Sequence, residues 1–222
     1  MLLLRDLTED IQVVSEAVGE GKDKQYFIEG IFLMGDINNR NKRRYPFETL
    51  QTEVARYNRE YIKESRAFGE LGHPAGPTIN LDRVSHMIQS LKEDGKNFIG
   101  RAKITKHLPM GQIAAGLLDE GAKLGVSSRG LGTVKAIGEG ISEVQSDFIL
   151  ATAADIVADP SAPKAFVQGI MENREWMMVD GKWTAMDMEK AQQVVRKASR
   201  GELEEAFLGL FENFMFKLGG HK

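Results

Sequence analysis
Gly125-Val126-Ser127-Ser128-Arg129-Gly130-Leu131-Gly132 sets two adjacent hydroxyls and one cation among glycines. Glycine opens positive φ to the backbone and lets a neighbouring chain approach closely. Two readings follow. In one, the stretch is an ordinary glycine-rich turn between two strands. In the other, a serine is presented to a substrate while nearby backbone N–H groups bind an oxyanion. The rest of the chain has to decide between them.

Working outward, Leu131 to Ile137 and Ile141 to Val157 read as strands around the turn Gly138-Glu139-Gly140. Asp159-Pro160-Ser161-Ala162-Pro163 then ends the regular part. Upstream, Pro109 to Glu120 reads as a helix with Gly121 as its C-terminal cap. Leu81 to Leu91 and Asn97 to Ile104 read as strands joined at Glu93-Asp94-Gly95, the second with Phe98, Ala102 and Ile104 on one face. Phe47, Leu50, Val54, Tyr57 and Tyr61 make one apolar stripe after Pro46, which predicts a helix from about 46 to 64. Lys24 to Ile37 is aromatic and β-branched, a buried strand with a bend or bulge expected at Gly30.

This pattern predicts an α+β protein and admits a barrel. Residues 1–23 are polar after the first leucines and read as a peripheral lead-in, and 24–167 forms the main domain. Residues 168–222 form an appendage. In it, Trp176 to Trp183 reads as a hairpin and two helices follow, the last with Leu203, Phe207, Leu210, Phe211, Phe214 and Leu218 on one face.

Bulk properties exclude several classes. The sequence has no cysteine, which removes disulfides, thiolate catalysis and cysteine zinc sites and fits a reducing compartment. A net charge of −3 gives no overall basic field for nucleic acid. The opening Met1-Leu2-Leu3-Leu4 meets Arg5 and Asp6 at once, too short for a signal peptide. With no apolar run near ~18 residues, no membrane span is expected. Neither a paired-histidine metal motif nor a phosphate-binding glycine loop is present, so no metal and no cofactor is expected.

A serine nucleophile needs a base, and the base needs an orienting group. His73, between Gly72 and Pro74, is the candidate base. Asp155 lies in an otherwise apolar strand and asks for a partner, either as the orienting group or in a structural salt bridge. The chain order His, Ser, Asp differs from that of chymotrypsin, subtilisin and the α/β-hydrolases, which implies a different fold.

These residues also carry a resemblance. Tyr26 to Phe32, Asn39 to Pro46, Gly69-Glu70-Leu71-Gly72-His73-Pro74, Gly125 to Gly132, Asp155 and Pro160-Ser161-Ala162-Pro163 resemble, in order and spacing, the prohead core proteases of tailed phages, T-even type. The resemblance covers roughly residues 25 to 167 and implies a serine endopeptidase with an assemblin-like fold, a mixed β-barrel surrounded by helices. Such an enzyme cleaves scaffold and capsid proteins inside the immature prohead core in the host cytoplasm, and it self-associates. Carried over, His73 is the general base and Asp155 the third member of the triad. Ser127 is the nucleophile by the T-even pattern; a Ser-x-Gly arrangement would select Ser128. Adjacent strand residues face opposite ways, so one of the two reaches His73.

By the same resemblance, N–H groups from Ser128 to Gly130 hold the oxyanion and Arg129 adds positive potential. Cleavage is expected after Glu in Leu/Ile-x-Glu, and Arg40, Lys42, Arg43, Arg44 and Arg129 are candidates to meet that glutamate. Ile170-Met171-Glu172 and Leu203-Glu204-Glu205 fit this pattern, so the appendage reads as a removable propeptide or core-docking segment. The competing reading is a non-catalytic prohead core or scaffold protein. A nucleic-acid module built on residues 38 to 45 is disfavoured by net charge; neither a specific nucleic acid nor a membrane is an expected partner.

Overall fold
The computed structural model describes residues 1–8, 16–18, 24–158, 175–179 and 182–186. Within these residues thirteen strands order as β1 (Leu2–Thr8), β2 (Glu16–Val18), β3 (Gln25–Met34), β4 (Arg43–Arg44), β5 (Phe68–Glu70), β6 (Val84–Asp94), β7 (Asn97–Ile104), β8 (Gly125–Gly132), β9 (Val134–Gly138), β10 (Ile141–Val144), β11 (Ile149–Val157), β12 (Glu175–Val179) and β13 (Lys182–Met186). Helices α1 (Phe47–Tyr57) and α2 (Pro109–Asp119) accompany them, with a π-helical turn at Asn58–Ile62 and a 3₁₀ turn at Leu81–Arg83. The architecture is mixed and strand-dominated, as the periodicities predict.

The described strands form three sheets, ordered β11-β8-β1-β12-β13, β2-β3-β7-β6-β5 and β4-β10-β9. The expected β-barrel is not closed by these strands. Among the described residues the two large sheets meet edge to edge only through the single bridge Leu71↔Ile156, so no continuous ladder of described strands encircles the core. Between them lies the apolar core. Leu4, Val126, Leu150 and Ile156 come from one sheet and Ile28, Phe32, Ile88 and Ala102 from the other, with Leu50, Val54 and Tyr57 from α1.

Alternation governs the inward positions. In β7, Phe98, Gly100, Ala102 and Ile104 are buried at every second residue. The stripe foreseen for α1 is also buried, with Leu50, Val54 and Tyr57 each under 5% exposed. Glu53 shares that face because its carboxylate accepts the Leu150 N–H at 2.6 Å and the Arg56 guanidinium at 2.5–3.0 Å.

Several local expectations need correction. The irregularity in β3 lies between Ile31 and Leu33, where the ladder to β7 slips, and Gly30 pairs regularly with Gly100. Leu81–Arg83 is a 3₁₀ turn, and the strand starts at Val84. The segment 141–157 divides into β10 and β11. The peripheral lead-in does not describe Leu2–Thr8: all seven residues pair with β8, and Leu3 and Leu4 are each 2% exposed. The expected hairpin at Trp176 to Trp183 corresponds to β12–β13. The two helices expected after it lie outside the described residues.

Candidate active site
The stretch Gly125–Gly132 is an interior strand, buried at every position and paired with β1 on one side and β11 on the other. It is not a turn. Its glycines serve close approach: a Cβ on Gly130 would stand 2.5 Å from the Phe148 ring.

Side-chain alternation divides this strand between two faces. Val126 belongs to the apolar core, as does Leu4, which pairs with Gly130 on that face. The other face carries Ser127 and Arg129. Asp155 lies directly opposite Ser127 in the β8–β11 ladder, and Arg5 directly opposite Arg129 in the β8–β1 ladder. The ladder to β11 slips between Thr152 and Asp155, leaving Ala153 and Ala154 opposite Ser128. Such bulges bend a strand and re-aim its side chains. Here Thr152 Oγ1 closes the bulge, lying 3.0 Å from the Phe68 carbonyl oxygen and 3.1 Å from that of Ala154.

His73 arrives from the other sheet. After β5 the chain runs alongside β11, tied by the Leu71↔Ile156 bridge and by Gly72 N–H donating to the Ile156 carbonyl at 2.7 Å. This sets His73 Nδ1 3.2 Å from Asp155 Oδ2. An ionised carboxylate only accepts, so Nδ1 is the donor in this contact, and in the neutral imidazole that tautomer leaves the Nε2 lone pair available. The imidazole is 21% exposed, whereas Asp155 is fully buried.

Asp155 is saturated. Its Oδ1 accepts from the Glu70 N–H at 3.0 Å and Arg129 Nη2 at 3.3 Å; Oδ2 accepts from Arg129 Nε at 2.9 Å as well as from His73. Burial pushes its pKa up. The His73 hydrogen bond, the Arg129 and His73 charges and the Glu70 N–H outweigh burial, so the carboxyl lies below its usual range.

Arg129 has zero exposure and uses all of its donors. Besides Asp155 they reach Glu70 Oε1 at 3.2 Å, the Gly76 carbonyl at 2.6 Å and the Thr78 carbonyl at 3.2 Å. Every one of its donors is thus engaged within the protein. Glu70, also fully buried, accepts from the Asn80 backbone N–H at 2.9 Å and lies 3.4 Å from Arg83 Nε.

Arg43 is buried at 9% exposure and donates to the Arg5 carbonyl oxygen at 3.1 Å, while Arg44 pairs with Asp36 at 3.5 Å. Arg40 and Lys42 are exposed in the turn closed by the Asn38↔Arg44 bridge. The basic loop is thus joined to β1, and the Arg43 and Arg44 guanidiniums are engaged within the protein.

Behind the site, His86 is fully buried. Its Nε2 donates to the Ala154 carbonyl at 3.0 Å, so Nδ1 accepts from Ser85 Oγ at 2.9 Å. Burial pushes its pKa down to about 4. Gly69 makes this contact possible, because a Cβ there would lie 2.2 Å from both the Ala154 oxygen and His86 Nε2.

Sequence reasoning missed Glu70 and Arg5. Glu70 was visible as an acid inside the Gly69 to Pro74 block; Arg5 gave no signal, standing in a segment with no strand pattern. Among the described residues no cluster of three metal-ligating side chains occurs.

Comparison with known proteins bears on this geometry. Residues 6–175 match the family described as prohead core protein serine protease. The prohead core protein protease of Enterobacteria phage T4 is 37% identical over 143 residues, spanning 64% of this chain and 67% of that protein. The solved structure of the bacteriophage T4 capsid assembly protease superposes with a TM-score of 0.63 at 30% identity, covering 70% of this chain and 97% of that one.

Proposed function
The chain belongs to the prohead core protein serine protease family, and we propose that it performs acyl transfer with Ser127 as nucleophile, His73 as general base and Asp155 as the group that orients the base. One observation carries this reading: the carboxylate bonded to His73 Nδ1 stands directly across the β8–β11 ladder from Ser127. Ser128 is on the opposite face, with Val126 of the core, which favours Ser127 between the two.

Ser127 Oγ attacks the scissile carbonyl carbon and its proton passes to His73 Nε2. The tetrahedral intermediate collapses as the C–N bond breaks and the amine takes the proton from His73. Water, deprotonated by the same nitrogen, then releases the acyl group and restores the serine. Asp155, ionised and held by Arg129, stabilises the transient imidazolium. The oxyanion takes N–H groups near Ser128, where the bulge interrupts the ladder. Ser127 is 1% exposed, so the attack requires the serine to be uncovered as substrate enters.

The substrates are scaffold and capsid proteins of the prohead core, in the host cytoplasm, cut after Glu in Leu/Ile-x-Glu sequences, with self-association of the enzyme. The appendage 168–222 is a removable or core-docking segment. The test is cleavage of purified scaffold protein after Glu by the full chain and its loss in His73→Ala. Cleavage that persists in that variant contradicts the reading, and a wild type with no activity supports a non-catalytic core protein.

A further inference from the structure
Among the described residues the polar cluster around Asp155 has an excess of cations. Three guanidiniums, Arg5, Arg83 and Arg129, meet two carboxylates, Glu70 and Asp155. Arg129 takes both carboxylates and Arg83 takes Glu70. Arg5 has no carboxylate within ion-pair distance among the described residues. It nevertheless stands directly opposite Arg129, a like-charge cross-strand pair that is unfavourable in a sheet.

Its backbone is clamped. The Arg5 carbonyl accepts from Asn41 Nδ2 at 2.8 Å and Arg43 Nη1 at 3.1 Å, which ties β1 to the basic loop. Its Nη2 donates to the carbonyl of Pro74, the neighbour of His73. Nε is buried with no hydrogen-bond partner among the described residues. The side chain is partly, not wholly, buried. Burial, with the Arg129 charge adding to it and Asp155 opposing, pulls its pKa below the usual arginine value. It still stays a cation at neutral pH.

An under-compensated guanidinium on the face of Ser127 and Asp155, touching the chain segment of His73, is suited to a carboxylate brought by the substrate. We propose that Arg5 is a specificity-determining residue that pairs with the acidic side chain of the residue preceding the scissile bond. This rests on the reading that cleavage follows Glu. It reassigns the glutamate contact from the basic loop and Arg129 to the first strand, with Arg43 and Asn41 holding Arg5 in place.

The experiment uses the full chain with paired peptides that differ only in Glu or Gln before the cut, and reads the ratio of their kcat/KM values. Wild type should favour Glu. In Arg5→Gln that preference should fall by about 10- to 100-fold, the worth of one charge-assisted hydrogen bond. Arg5→Lys, which keeps the charge, should retain part of it. Normalising to the Gln peptide removes any displacement of His73 through Pro74, because that slows both peptides alike. A Glu preference that survives intact in Arg5→Gln overturns the role of Arg5 while leaving cleavage after Glu standing. A wild type indifferent to Glu and Gln overturns both.

Discussion

Replacing Arg129 by Met tests how the site is held together. The guanidinium is fully buried, bridges Asp155 and Glu70, and donates to the Gly76 and Thr78 carbonyls. Methionine fills much of the volume and supplies no donor. Removing one partner of a buried ion pair costs about 3–5 kcal/mol, because the other charge stays buried and uncompensated. Glu70 keeps Asn80 and Arg83, and Asp155 keeps His73 and the Glu70 N–H, so the upper part of that range suffices for both carboxylates together. For a chain of this size each kcal/mol lowers Tm by about 2–4 °C, which gives a drop of roughly 8–20 °C at pH 7. The pH dependence has a definite sign. In the wild type Asp155 is depressed, so its stabilisation is present above the unfolded carboxyl pKa and is lost as pH falls through the folded value. In the variant the lowering charge of Arg129 is gone and burial raises the carboxyl, a penalty relieved by protonation. The gap between variant and wild type should therefore narrow between pH 7 and about pH 4.5. Differential scanning calorimetry at both pH values measures it. A Tm loss under about 2 °C, or a gap unchanged by acid, would refute the idea that this arginine neutralises the buried carboxylates.

Gly69→Ala forces a methyl to within 2.2 Å of the Ala154 oxygen and His86 Nε2, prising β5 from β11. Urea denaturation should record a loss of about 1–3 kcal/mol or more, and a change within about 0.5 kcal/mol would show that the two edges do not pack so closely. His86 lies neutral in the folded state with its pKa pushed down to about 4, so the unfolded chain takes up a proton that the folded one does not. Stability should fall as pH drops from about 6.5 to 4, by up to about 3 kcal/mol in all, and His86→Gln should flatten that limb of the unfolding profile.

The parts of the fold set by local periodicity were legible in the sequence. Phe47 to Tyr61 announced α1, and the alternation in Asn97–Ile104 announced β7 to the residue. The polar architecture was legible in part: His73 and Asp155 were named as partners, and they stand at hydrogen-bond distance. What stayed hidden depends on register and long-range pairing. Nothing in Leu2–Thr8 alternates cleanly, because β1 lies between β8 and β12 and the adjacent Leu3 and Leu4, on its two faces, are both buried. Arg129 reads from sequence as a cation for the oxyanion or a substrate glutamate, because a charge inside a glycine-rich stretch gives no hint of two carboxylates arriving from β5 and β11. Between the adjacent serines the resemblance favours Ser127, but the register that sets it opposite Asp155 depends on a bulge in β11 that no periodicity announces.

That choice is the most direct test of the account. Ser127→Ala and Ser128→Ala, made separately in the full chain, should be assayed on a peptide with Leu-x-Glu before the scissile bond. Ser127→Ala should lose at least about a thousandfold in kcat, since a missing nucleophile removes the acyl-transfer route, while Ser128→Ala should remain active. The reverse pattern would place the nucleophile on the core-side face and contradict the assignment, and activity surviving in both variants would contradict a serine protease of this geometry.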